Sequence, residues 1–407
     1  MNSLLISLAA VLIATKLLGE LARRFGQPSV LGEMLAGVIL GGSAVGLVDP
    51  RDPAMRALGE LGLFVLIFQI GLHTDVRSLR RVGASAMMVA VAGVILPFAG
   101  GFFAARALGV PTIAAVIAGA SLTATSMAIS ARVLGDKGAL RTKEGQVVLG
   151  AALADDVIGL IILSIVVAVV AGTSVSVASV ARIGAVSVGF IVIALAGGGY
   201  AVPPLFRVLD KLRANGALGM LGIAFGLLLA GLAVASGTAM IVGAFVAGMI
   251  LHPTPQRHEI ERMTGQIGYF LVPVFFAVVG ASVDLAALAT GPALEAGAVL
   301  IAVGIAGKVL AGFAPWSFEG NKLLIGVAMV PRGEVGLIFA QMGLATGAIT
   351  PQLFAAIMLM VVVTTFITPP LLGAVIRRDD SLERDDPEVR DSLKVDARRH
   401  TTAGRRH

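Results

Sequence analysis

The sequence predicts an all-α polytopic membrane protein of thirteen transmembrane helices, built as two inverted six-helix repeats with a linking helix between them. Three observations carry that prediction. The 407-residue chain is 57% hydrophobic and 14% charged, with mean hydropathy +0.93. Soluble domains average roughly 45–50% apolar and about 25% charged, so a water-soluble enzyme is excluded. The apolar residues fall in continuous runs of about 18–25, the length that crosses a bilayer as a helix. An outer-membrane barrel would instead show alternating segments of about ten residues. Finally, two early segments match two later ones at nearly equal offset. The chain has no cysteine, which removes disulfides, thiolate catalysis and thiolate metal sites.

The candidate spans run 3–22, 28–47, 57–72, 83–105, 111–131, 146–171, 177–202, 216–235, 237–251, 265–282, 292–314, 323–344 and 353–375. Met1-Asn2-Ser3 lacks the basic start of a signal peptide, so span 1 is expected to be retained. Residues 377–407 form a polar tail with nine Lys/Arg and eight Asp/Glu, expected to be solvated and disordered. Residues 1–376 are then the transmembrane domain. Fifteen basic residues lie in the odd-numbered connections between spans, and four on the opposite side, three in the even-numbered connections and Arg182 near the start of span 7. The positive-inside rule places the odd connections and the tail in the cytoplasm and the N-terminus outside. The net charge of +6 is therefore a topology signal and not a nucleic-acid one.

Along the chain, Lys16 and Glu20 of span 1 are four residues apart. They and Glu33 of span 2 either line a cytoplasmic funnel or form a local helix pair and an interfacial charge. His73 and His258 lie in loops, where pH sensing competes with an incidental role. Residues 31–40 (LGEMLAGVIL) of span 2 match 242–251 (VGAFVAGMIL) of span 9, and 71–75 (GLHTD) after span 3 match 280–284 (GASVD) after span 10. The offsets, 211 and 209 residues, equal seven spans. An odd number of spans reverses direction across the membrane, so the repeat is inverted, with span 7 as the linker. Two matches at nearly equal offset weigh against chance similarity between Gly/Ala-rich segments. Inverted repeats are the architecture of secondary transporters, with the site between the halves near the midplane.

The same offset pairs span 5 with span 12, and both carry helix-breaking chemistry. Span 5 holds Thr123, Thr125 and Ser126, whose hydroxyls compete for backbone hydrogen bonds, although such residues also serve ordinary helix packing in membranes. Span 12 holds Pro331, Arg332, Gly333 and Glu334. Pro331 lacks an amide donor and Gly333 weakens the helix. Two interrupted spans at corresponding positions mark a transport site. In span 6, Asp155 and Asp156 sit two turns or more from either end, and each buried charge costs about 2.5–3.5 kcal/mol on insertion scales. Neighbours on a helix point about 100° apart, so the two acids face different partners. Lys308 lies deep in span 11, with Gly304 and Gly312 on its face to leave it room. Three buried negatives (Asp155, Asp156, Glu334) stand against two positives (Lys308, Arg332). The extra carboxylate needs a proton or a desolvated monovalent cation. Competition between those two ligands at one carboxylate, with alternating access, is cation/proton antiport. A channel would not need a carboxylate cleared by protonation. An intramembrane aspartyl protease needs two carboxylates sharing a proton about 3 Å apart, which adjacent residues on one helix do not offer.

These motifs together resemble the second branch of the monovalent cation/proton antiporters, specifically NapA-like sodium/proton antiporters. The resemblance rests on residues 27–33 (QPSVLGE), 121–138, Asp155-Asp156, 275–280 (FFAVVG) with Asp284, Lys308 and 331–337 (PRGEVGL). It implies the NhaA/NapA-like fold with two discontinuous crossing helices. It implies that Asp156 binds the ion, with Asp155 paired to Lys308. Na+ then sits on Asp156 and Asp155, and Thr123, Thr125, Ser126, Arg332 and Glu334 support the crossing. It further implies an electrogenic exchange of one sodium for two protons, a homodimer in the prokaryotic inner membrane, and no cofactor. Spans 1–3 and 8–10 become a scaffold and spans 4–6 and 11–13 a core moving as an elevator. Relatives with Asn-Asp are electroneutral. Potassium-efflux relatives carry Gln-Asp and usually a nucleotide-binding domain, for which this tail is too short. Oxygen ligands alone leave lithium and potassium open beside sodium.

Overall fold

The computed structural model describes residues 2–170, 177–209, 216–283 and 291–377. The polar tail after Arg377, and Asp284 of the second repeat motif, lie outside the described residues. Every regular element among the described residues is a helix. The first is α1 (Asn2–Arg24), followed by α2 (Ser29–Leu40) and α3 (Pro53–Leu72). The sharp turn before α2 needs Gly26, whose φ of 70° only glycine adopts without strain. Asp52 starts α3 by accepting the amides of Ala54 and Met55 at 3.0 and 2.9 Å, with Pro53 pre-set at the first helical position. The short α4 (Val76–Arg81) is capped by Asp75. Then come α5 (Gly83–Ala107), α6 (Thr112–Ser121), α7 (Met127–Asp136), α8 (Lys143–Val170) and α9 (Val177–Leu209). The second half contains α10 (Ala217–Ala235), α11 (Met240–Leu251), α12 (Arg257–Ala281), α13 (Gly291–Ala311), α14 (Lys322–Ala328), α15 (Glu334–Ala345) and α16 (Pro351–Arg377).

Among the described residues, nine helices are long and apolar enough to cross a membrane. Shorter apolar helices occupy the regions of predicted spans 2, 5, 9 and 12. Span 2 was expected to reach residue 47, but α2 stops at Leu40. Residues 41–47 form a loop instead, held where Ser43 Oγ donates to the Val283 carbonyl (2.5 Å) and Ser7 Oγ to the Leu47 carbonyl (2.7 Å). Conversely, α12 starts eight residues earlier than hydropathy predicts, because its polar first turns stay helical with an Arg257–Glu261 pair at 3.6 Å.

Glycines let the backbones touch. A Cβ on Gly37 of α2 would lie 2.0 Å from the Ala277 carbonyl oxygen of α12, and one on Gly280 of α12 would lie 2.0 Å from the Met34 carbonyl oxygen of α2. The repeat counterparts do the same. A Cβ on Gly71 of α3 would lie 2.3 Å from the Phe245 carbonyl oxygen, and one on Gly248 of α11 would lie 2.4 Å from the Phe68 carbonyl oxygen. The matched motifs thus pair crosswise: each α2-type helix packs on the α3-type helix of the other half.

The helices pack in two groups. In one, α1, α2, α3, α10, α11 and α12 rest on one another. In the other, α5 packs on α6, α8 and α13, while α16 packs on α13 and α15. The long α9 touches α8 of the second group and α10 and α11 of the first.

Candidate functional site

The two interrupted helices meet at their breaks. Residues 122–126 separate α6 from α7, and residues 329–333 separate α14 from α15. The peptide N–H of Ser126 donates to the Pro331 carbonyl at 2.8 Å. Thr125 Oγ1 donates to the Met329 carbonyl at 3.2 Å. Ser130 Oγ donates to the Ala328 carbonyl. The bonds to Ala328 and Met329 satisfy carbonyls that α14 leaves orphaned at its end, and the bond to Pro331 does the same inside the break, which lipid could not do.

Arg332 fills the corner between the breaks. It is 1% exposed. Its Nη1 donates to the carbonyls of Thr123 (3.4 Å) and Ala124 (3.3 Å), and its Nη2 to the Gly304 carbonyl of α13 (3.1 Å). The guanidinium therefore sits on the electronegative end of α6, where a cation opposes the helix dipole. A planar fork with several donors suits this task better than a lysine would. The Arg332 carbonyl in turn accepts from Thr365 Oγ1 of α16 at 2.9 Å.

All four half-helices, α6, α7, α14 and α15, pack against α8, which carries Asp155 and Asp156. The acids are 1% and 7% exposed. Gly159, one turn further along α8, faces Val335 at the start of α15, 3.8 Å from where its Cβ would be. The carboxylates therefore lie beside the crossing. Lys308 is 0% exposed, and its Nζ is 3.2 Å from Asp155 Oδ2. A Cβ on Gly93 of α5 would lie 3.2 Å from that Nζ, so the absent side chain makes room for the ammonium.

Asp155 and Asp156 lie on α8 beside the crossing, Lys308 contacts Asp155, and Arg332 and Thr125 lie in the crossing itself. Thr123 is buried but turns back to the Ala120 carbonyl of α6, at 2.7 Å. Ser126 contributes its backbone amide and makes no side-chain cap. Glu334 begins α15, and its side chain lies outside the described residues. Lys308 is not deep in its helix, as the predicted span 292–314 implied. The helix ends at Ala311, and Lys308 stands in its last turn. It stays buried because it points into the bundle at Asp155. Gly304 serves Arg332, with a would-be Cβ 3.5 Å from its Nη2, rather than Lys308. Sequence reasoning missed Ser130, Thr365 and the Gly304 carbonyl. The neighbouring hydroxyls Thr364 and Thr365 within an otherwise apolar run were the one available signal.

The family described as "Sodium/hydrogen exchanger, transmembrane" matches residues 8–378. The chain belongs to the sodium/hydrogen exchanger family. Among individual relatives of this exchanger, the high-affinity Na+/H+ antiporter NhaS3 of Synechocystis sp. is 36% identical, the alignment covering 94% of this chain and 92% of that protein. The Na+/H+-K+ antiporter GerN of Bacillus cereus is 33% identical over 90% of this chain and 94% of that protein. In fold, the exchanger is similar to the sodium proton antiporter MjNhaP1 from Methanocaldococcus jannaschii, with TM-score 0.67 at 17% identity, covering 91% of this chain and 97% of that one.

Proposed function

We propose that this protein is a secondary active sodium/proton antiporter in which Na+ and H+ compete for Asp156. The observation that carries the reading is the buried Asp155-Asp156 step, with Lys308 on one acid, beside the meeting point of two broken helices. A carboxylate out of water must be compensated. Lys308 compensates Asp155. Asp156 is the carboxylate at which a proton and a desolvated monovalent cation exclude each other. Hydroxyl and carbonyl oxygens of the crossing, with Thr125 foremost, supply neutral ligands for a hard cation.

The nine long helices, the short α2 and α11, and the two broken pairs make thirteen spans. The crosswise pairing of the repeat glycines supports two inverted six-span halves with α9 as the linker. The group formed by α1–α3 and α10–α12 is the scaffold of a homodimer. The group around α5, α8, α13 and α16 is the core, which slides as an elevator. The basic connections put the N-terminus outside the prokaryotic inner membrane and the C-terminus in the cytoplasm. Exchange is electrogenic, one sodium for two protons, with Lys308 carrying the second proton.

The test uses purified protein in liposomes loaded with a pH-sensitive dye. Adding sodium should move protons, and Asp156→Asn should abolish the signal. The apparent KM for sodium should rise as pH falls. An imposed membrane potential should drive exchange, and Lys308→Gln should weaken that dependence. Loss of the gradient with potassium alone would replace sodium as the cargo. Potassium, alone or with sodium, is the second reading, favoured by the name GerN carries. Lithium belongs in the same cation panel.

A further inference from the structure

One charged cluster outside the crossing joins the two packing groups. Glu33 of α2 is 4% exposed, and its Oε1 lies 3.4 Å from Arg132 Nη2 of α7. The same guanidinium approaches Asp136 of α7, Nε to Oδ1, at 3.3 Å. Ser29 Oγ of α2 donates to Asp136 Oδ2 at 3.0 Å and accepts from Arg132 Nη2 at 3.4 Å. The second carboxylate oxygen of Glu33 is buried without a hydrogen-bond partner. Ser29, Arg132 and Asp136 also line a cavity of about 450 Å³ that Gln69, Gly265 and Tyr269 close from the first group.

Two features make this more than a surface pair. The first is leverage. The start of α7 forms the crossing through Ser126 and Ser130, so holding its far end at Arg132 and Asp136 sets the angle of the crossing against α2. The second is one-sidedness. The repeat offsets carry Glu33 onto Ala244, Arg132 onto the segment Gln341 to Gly343, and Asp136 onto Ala345 to Gly347. No repeat-related position has a charge.

We infer that Glu33 is a positioning residue for exchange: through Arg132 it latches α7 to the first group at one face of the molecule only. This rests on the reading that the two groups slide past each other. The latch must open whenever the core moves, so its strength sets how long the site faces each side. A half-buried pair with a strained acceptor count is suited to that, because breaking it costs more than an exposed pair and less than a fold.

The chain contains no cysteine, so a single reporter is clean. Gly265 lines the cavity, and a Cβ there meets nothing within 4 Å. In a G265C background, the labelling rate by a membrane-impermeant maleimide reads how often the cavity opens. E33Q should raise that rate about threefold or more. Turnover should change by a similar factor while the KM for sodium stays put. R132Q should do the same, E33Q with R132Q together should add nothing further, and E33D should restore the parent rate. Unchanged labelling and turnover in E33Q, or additive effects of the two substitutions, would overturn the latch. Should E33Q not fold, R132Q and S29A read the same contact from either side. Labelling is repeated on Asp156→Asn, which requires no transport. E33Q should shift labelling in that background too; a shift alongside a parent protein that exchanges no sodium sinks the antiport reading alone, and sodium exchange by the parent without a shift sinks the latch alone.

Discussion

Asp155 and Lys308 form a contact in which each member is costly without the other. Both are buried, at 1% and 0% exposure, and 3.2 Å apart. Removing one partner leaves a charge in a low-dielectric site, a change that typically destabilises by about 3–5 kcal/mol. Lys308→Gln should therefore lower the thermal midpoint in detergent substantially, and Asp155→Asn combined with it should recover most of that loss. Equal midpoints for the single and double variants would show that the pair contributes nothing. At this scale the sequence was informative where insertion cost is high: Asp155, Asp156, Lys308 and Arg332 all announce themselves as charges inside apolar runs. Thr365 and Ser130 did not, because hydroxyls are unremarkable in membrane helices, where they back-bond to their own turn. Their partners, the carbonyls of Arg332 and Ala328, become visible only once the breaks are placed in space. The position of Lys308 in its helix was hidden for a similar reason. Gly312 after α13 packs so close to α14 that its Cβ would lie 2.4 Å from the Gly326 nitrogen, and tertiary contact rather than hydropathy sets that end.

The elements divide into those set by local chemistry and those set by a neighbour. Pro331 and the hydroxyl run at 123–126 make the breaks in spans 5 and 12 readable. The end of α2 at Leu40 was not, since the loop after it is fixed by Val283, far along the chain. Contact between α2 and α12 depends on having no side chain at two points. Gly37→Ala places a methyl about 2.0 Å from a carbonyl oxygen. The helices must separate, and overpacking of this kind costs about 1–3 kcal/mol or more. Gly83→Ala at the start of α5 is the control, because a Cβ there meets nothing within 4 Å. It should leave stability unchanged or slightly raised. Thermal denaturation of the two variants side by side checks the pair of outcomes.

For the whole molecule, a cation bound between elements of one group must appear in the stability of the fold. Binding to the native state alone stabilises by about 2.7 kcal/mol at 100 times Kd. Sodium should thus raise the thermal midpoint, more so at high pH where protons compete less, and Asp156→Asn should abolish the rise. A rise that survives in that variant would move the cation elsewhere. That the chain is an all-helical membrane protein was legible from its run lengths, and the matched motifs from their offsets. The partnership of helices was not, because a motif states which face is small and not what that face touches. The crosswise glycine contacts answer that question: Gly37 meets α12, Gly280 meets α2, Gly71 meets α11 and Gly248 meets α3. Each half offers the surface that the other half requires and contains no use for it alone. Were the two halves separate chains, these four glycine contacts would lie in the interface of a two-chain particle. The buried charges are shared out in the same way: the two acids stand on α8, before α9, and Lys308 on α13, after it, so neither half alone contains the ion pair.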